Sequence, residues 1–254
     1  VNDGSAATAS PQWLGRATGA ALLREEVRQV ADALDSVFGD ELVQLGQWGD
    51  AGLFRPHART RRQTVVGTRP GPGVDIVCEL DDLCIGGDCV DVVLLPHTLE
   101  TAADPHAVLR EVDRILRPDG HVVIVGFNPL GWWGARHYLT RRTFPDGLQR
   151  MVAEYRLRDW LQLLSFRVQR ADYYFFAPPL YRPGPWCEPA AAQASPPAGL
   201  RGMVTRFAHW QGFAACYLLV ARKEMFSMTP MRVERRRQAR LVAGLVNPTT
   251  RNAA

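Results

Sequence analysis

The sequence predicts an α/β protein with a mostly parallel central sheet, an antiparallel edge and helices on both faces, and three observations predict it. Val90-Asp91-Val92-Val93-Leu94-Leu95-Pro96 is a nearly continuous apolar run, the pattern of a parallel strand buried on both faces. A helix with one apolar stripe follows, and His121-Val122-Val123-Ile124-Val125-Gly126 is a second buried run. Together they form a βαβ unit whose strands lie parallel with a right-handed crossover. The last legible strands, Phe166 to Phe176 and Gly212 to Arg222, suit an antiparallel edge.

The elements follow in order. From Ala20 to Phe38, Leu22, Leu23, Val27, Val30, Leu34 and Val37 recur every three to four positions, which puts one apolar stripe on a helix. Gly39 stops it. Glu41 to Gly46, Thr64 to Gly67 and Val74 to Cys78 read as short strands separated by poorly patterned chain. After Val90–Pro96, Asp104 suits an N-cap and Pro105 the first helical position, with Val108, Leu109, Val112, Ile115 and Leu116 on the buried face. Pro118-Asp119-Gly120 then turns the chain into His121 to Gly126. Leu157 to Leu164 reads as a short helix. Pro178 to Pro197 holds seven prolines in twenty residues and reads as a surface loop. The division is a loose N-terminus over 1–12, one domain over 13–223 with the proline-rich loop 178–197 inside it, and a basic flexible tail over 224–254.

Composition narrows the function classes. Of 254 residues, 46% are hydrophobic and 22% charged, which excludes a mainly disordered chain. The longest apolar run, Gly212 to Ala221, is half of the roughly 20 residues that a spanning helix needs. The polar start (Val1, Asn2, Asp3) is unlike a signal peptide, so no membrane partner and a cytoplasmic location are expected. The five cysteines include no CxxC pair, and the six histidines show no ligand spacing such as HExxH; no metal is expected. Net charge is +4, while Lys223 to Ala254 alone carries seven basic residues against two acids. Arg235, Arg236, Arg237 and Arg240 make that tail a candidate nucleic-acid contact.

One stretch carries a family signature. Glu79-Leu80-Asp81-Asp82-Leu83, the Val90-Asp91-Val92-Val93 strand, His97, Leu99, Asp104-Pro105 and Leu109-Arg110-Glu111-Val112-Asp113-Arg114-Ile115-Leu116-Arg117-Pro118-Asp119-Gly120 resemble the type 11 branch of class I S-adenosylmethionine (SAM)-dependent methyltransferases. Gly126-Phe127-Asn128-Pro129-Leu130, Trp133-Gly134-Ala135-Arg136 and Val220-Ala221-Arg222-Lys223 are similar to a bacterial YafS-like subgroup. The resemblance covers roughly 40–225. It implies a Rossmann-like class I methyltransferase fold, SAM as cofactor and methyl transfer to a substrate nucleophile.

It also implies a site. In such sheets ligands bind outside the carboxyl ends of the strands, where the strand order reverses. By resemblance, the cofactor-binding candidates are Gly46, Gln47 and Gly49 after the first strand and Glu79, Asp82 and Leu83 after the third. Pro96 and His97 after the fourth complete the set. His97 is also the one candidate general base, since its reference pKa suits proton transfer near neutral pH. Asn128-Pro129 with Trp132 and Trp133 is expected to form the opposite wall. Three departures stand out: Gln47 and Trp48 replace small residues, Leu42 to Leu45 holds no acid, and Val65 to Arg69 holds none either. The readings are therefore a SAM-dependent methyltransferase, a pseudoenzyme with a degenerate SAM site that acts by binding, and an RNA-associated protein acting through its tail.

Overall fold

The computed structural model describes residues 12–50, 52–139, 148–176 and 213–224. The predicted proline-rich loop 178–197, residues 1–11 of the predicted N-terminal segment and residues 225–254 of the predicted tail lie outside the described residues. Among the described residues no helix is long and apolar enough to cross a membrane.

A 3-10 turn at Gln12–Gly15 leads into helix α1 (Ala17–Leu34). The strands are β1 (Glu41–Leu45), β2 (Arg62–Gly67), β3 (Ile76–Val77), β4 (Val90–Pro96), β5 (Leu116–Phe127), β6 (Phe166–Tyr174) and β7 (Cys216–Lys223). Between β4 and β5 lie α2 (Thr98–Thr101) and α3 (Pro105–Ile115); α4 (Trp132–Leu139) and α5 (Glu154–Leu163) precede β6. All seven strands form one sheet in the order β3-β2-β1-β4-β5-β7-β6. The first five are parallel, and β7 runs antiparallel to both β5 and β6. The predicted βαβ unit is present, with α3 between adjacent parallel strands and Leu109 and Ile115 buried. Asp104 caps α3 by accepting the His106 N–H at 2.9 Å, as its place before Pro105 predicts.

Each sheet face has its own core. On one side α1 and α4 bring Leu22, Val30, Leu34 and Trp133 against Leu42, Val92, Val123 and Leu218. On the other, α3 and α5 pack Leu109, Val112, Leu157 and Leu161 on Val43, Val93, Ile124 and Leu219. Every second strand residue faces each core, as the pleat requires.

Several boundaries differ from the pattern. Helix α1 starts and ends before the predicted Ala20 to Phe38, and β3 keeps only two residues of Val74 to Cys78. Pro118-Asp119-Gly120 does not separate helix from strand; β5 starts at Leu116. Val90 pairs with Leu116 and Val92 with His121, so 117–120 bulge out opposite Asp91. Helix α4 was not predicted. No α-helix is described in the connections β1–β2, β2–β3 or β3–β4; the first carries only a 3-10 turn at Arg55–His57.

Asp91 ties the amino ends of three strands. Its Oδ2 accepts the Asp40 and Glu41 N–H groups at 2.7 and 3.0 Å, and Oδ1 pairs with Arg117 at 2.8 Å. Burial alone would raise this carboxyl, but those N–H groups and the guanidinium outweigh it and hold it below its ordinary value. Because the folded pKa is the lower one, the contribution is complete above the unfolded value of about 3.9 and fades as pH falls through the folded value. Asp91→Asn is expected to cost about 1–3 kcal/mol at pH 7. In urea titrations at several pH values the gap from the parent protein should close below about pH 4. A gap independent of pH would refute the assignment.

Candidate functional site

The strand order reverses between β1 and β4. The chain runs outward from β1 through β2 to β3, then returns to the other side of β1, so the loops after β1 and β4 part in opposite directions. Gly46 ends β1 with φ +86°, and its N–H bonds Val66 O at 2.8 Å. A Cβ there would stand 3.0 Å from Thr98 Oγ1, so the left-handed conformation and the close approach both call for glycine. Gly49 is also left-handed, at φ +71°. Thr98 Oγ1 donates to Leu45 O, clipping the β4 loop onto β1.

Below this turn lies a sealed polar cluster. His97, at φ +54°, follows β4 and is 1% exposed. Its Nε2 faces Glu26 Oε1 at 2.9 Å and its Nδ1 faces Glu100 Oε2 at 2.8 Å. Glu100 Oε1 accepts the Phe127 N–H at 2.6 Å, and Glu26 Oε2 accepts the Trp48 indole N–H at 2.6 Å. Both glutamates are buried. The Trp48 and Phe127 rings each lie 4.2 Å from the imidazole, and Trp13 and Trp133 extend the aromatic packing beyond them. Burial works against a charge on His97, but the Glu26 and Glu100 carboxylates outweigh it and push its pKa up to about 9. The ring is thus an imidazolium that donates to both glutamates. Burial raises the Glu100 carboxyl in turn, and the His97 charge offsets part of that.

The structure gathers some predicted residues and separates others. Gly46, Pro96 and His97 meet at the switch point. Gln47 is half-buried and donates to Pro72 O at 3.0 Å, bridging the β1 loop to the β2–β3 connection. Glu79 and Asp82 are exposed after β3, at the outer edge of the sheet. Leu83 is buried, and its N–H bonds Glu111 Oε2 at 2.9 Å. As placed, neither ring nitrogen of His97 is open to a substrate, because both engage carboxylates under Trp48. Trp133 is core and Trp132 is 51% exposed, so the two tryptophans do not form one wall. Asn128 is buried, with its amide on Ala214 O at 3.1 Å. A cleft of about 580 Å³ lined by Asp40, Glu41, Arg61, Arg62 and Arg117 opens at the amino ends of the strands, away from this site.

Sequence reasoning missed Glu26, Glu100 and Cys216, the last buried on β7 beside the cluster. Glu26 had a signal. It sits between Leu22 and Val30 at four-residue steps, a charge on the apolar stripe of α1, which asks for a buried partner.

Comparison with known proteins fits this topology. Residues 56–124 match the methyltransferase-domain family. A SAM-dependent methyltransferase from Archaeoglobus fulgidus superposes with a TM-score of 0.55 at 13% identity, over 80% of this chain and 93% of its own. The fold is that of the SAM-dependent methyltransferases. A Thermotoga maritima SAM-dependent methyltransferase aligns on this methyltransferase fold with a TM-score of 0.54 at 16% identity, over 80% of this chain and 91% of its own. Protein YafS of Escherichia coli K12 is 46% identical over 91 residues, 35% of this chain. The match spans only 38% of YafS.

Proposed function

We propose that this chain is a cytoplasmic, bacterial SAM-dependent methyltransferase that passes a methyl group to a substrate nucleophile. The observation that carries the reading is the β1/β4 switch point capped by left-handed Gly46, with Thr98 holding the two loops together. The residues suit the cofactor in part. Gly46 and Gly49 keep side chains out of the turn, and the backbone of Gly46, Gln47 and Gly49 would hold the cofactor, with the exposed acids Glu79 and Asp82 beyond it. When bound, SAM supplies a methyl group on a sulfonium, and its transfer depends on proximity and alignment more than on an acid or base. The chain's own part is to position and to exclude water. Trp48 covers Glu26 and His97, so neither charge faces the turn, and as placed His97 is closed off from a substrate.

One observation favours a second reading, a pseudoenzyme that binds without methylating. Trp48 is 3% exposed, and with the Gln47–Pro72 bond it closes the turn that a cofactor would approach. Calorimetry with SAM separates the two. Each missing carboxylate forfeits a charge-assisted bond of about 1.5–3 kcal/mol, so binding is expected to be about ten- to a hundredfold weaker than with an intact set. Gly46→Val should abolish it. Absence of both heat and a thermal shift at millimolar SAM would rule out the enzyme and leave the pseudoenzyme.

A further inference from the structure

We propose that Glu26, His97 and Cys216 form a buried structural zinc site. Donor atoms from the three side chains lie within 4.8 Å of one another, and they come from α1, the β4 loop and β7, three elements far apart in sequence. All three residues are buried. The nitrogen, oxygen and sulfur donors are among those zinc takes, and their burial places the ion in the core rather than in reach of a substrate. Tetrahedral zinc holds a nitrogen and an oxygen ligand roughly 3.3 Å apart. His97 Nε2 and Glu26 Oε1 are 2.9 Å apart, near that spacing, and the Cys216 sulfur lies within 4.8 Å of both.

The surroundings are built as an outer shell is built. Glu100 accepts from the remote nitrogen of His97 at 2.8 Å and is itself held by the Phe127 N–H at 2.6 Å. That is the carboxylate–histidine pairing that fixes which ring nitrogen is free for a metal. Trp48 anchors the second oxygen of Glu26 at 2.6 Å, leaving the first to point at the histidine. The Tyr174 hydroxyl is buried beside the Cys216 thiol.

Zinc binding would release two protons, that of the Cys216 thiol and the one held between His97 Nε2 and Glu26 Oε1, and the dication would take their place.

Metal analysis of the full chain, purified from zinc-supplemented cells without an affinity tag that binds metal, is the test. About one zinc per chain is expected. Replacing zinc by cobalt(II) should give a thiolate-to-cobalt charge-transfer band in the near ultraviolet, and Cys216→Ser should remove it. Glu100→Gln, which keeps all three ligands, should weaken zinc binding about 10- to 100-fold. The proposal fails if the unmutated chain holds less than about a tenth of an equivalent after zinc addition. It fails equally if Cys216→Ser keeps the metal with an unchanged cobalt spectrum. Neither measurement depends on SAM, so the site stands or falls independently of the methyltransferase reading.

Discussion

Replacing His97 by alanine is expected to lower the unfolding free energy by about 3–5 kcal/mol. The reason is the company it keeps. Two buried glutamates accept from its ring at 2.8 and 2.9 Å, and without the imidazolium both face a low-dielectric interior with only the Trp48 and Phe127 N–H groups for support. Breaking a buried pair from one side is costly because it strands the other charge, whatever the net worth of the intact pair. Urea unfolding with a chelator present isolates this effect from any metal. Glu26→Gln should lose less, since the amide can still accept from His97, and combining it with His97→Gln should cost less than the two changes summed. A loss under about 1 kcal/mol for His97→Ala would mean that the cluster is hydrated or neutral in solution.

Trp48→Ala should be of similar size. Removing a fully packed aromatic side chain costs about 3–5 kcal/mol through lost transfer energy and the cavity left behind. Here it also removes the hydrogen bond to Glu26 and the ring packed on His97. The same variant bears on function. If Trp48 is the floor on which SAM lies, the alanine variant should bind SAM more weakly and Trp48→Phe should restore much of the affinity. If Trp48 instead plugs a vestigial site, the alanine variant should bind more tightly than the parent. Thermal-shift titration of the three proteins gives the sign, and tighter binding by the alanine variant would favour the pseudoenzyme.

Much of the architecture is legible without coordinates because its signals are local. The Val90–Pro96 run, the Asp104-Pro105 cap and the stripe through Val108, Leu109, Val112 and Ile115 specify a buried strand, a helix start and a helix face within a few residues of each other. The parallel pairing of β4 with β5 follows from their spacing. The glycine at the end of β1 is equally readable, since a strand-ending turn with positive φ selects glycine. Where the local pattern is weak it does not fix the element: β3 pairs through only two residues, and the bulge at 117–120 looks in sequence like an ordinary turn.

The site divides along the same line. Sequence alone determined that Gly46, Pro96 and His97 stand at or just past the end of a strand, and topology then brings them to one edge of the sheet. What those residues do there was decided by the tertiary structure. Glu26 is 71 positions from His97 and Cys216 is farther still, and no local spacing connects them. A histidine that reads as an accessible base becomes, once α1 crosses the sheet and Trp48 turns inward, a buried imidazolium between two carboxylates. Backbone periodicity is written in neighbouring residues, whereas desolvation and charge pairing depend on which distant side chains the fold packs together.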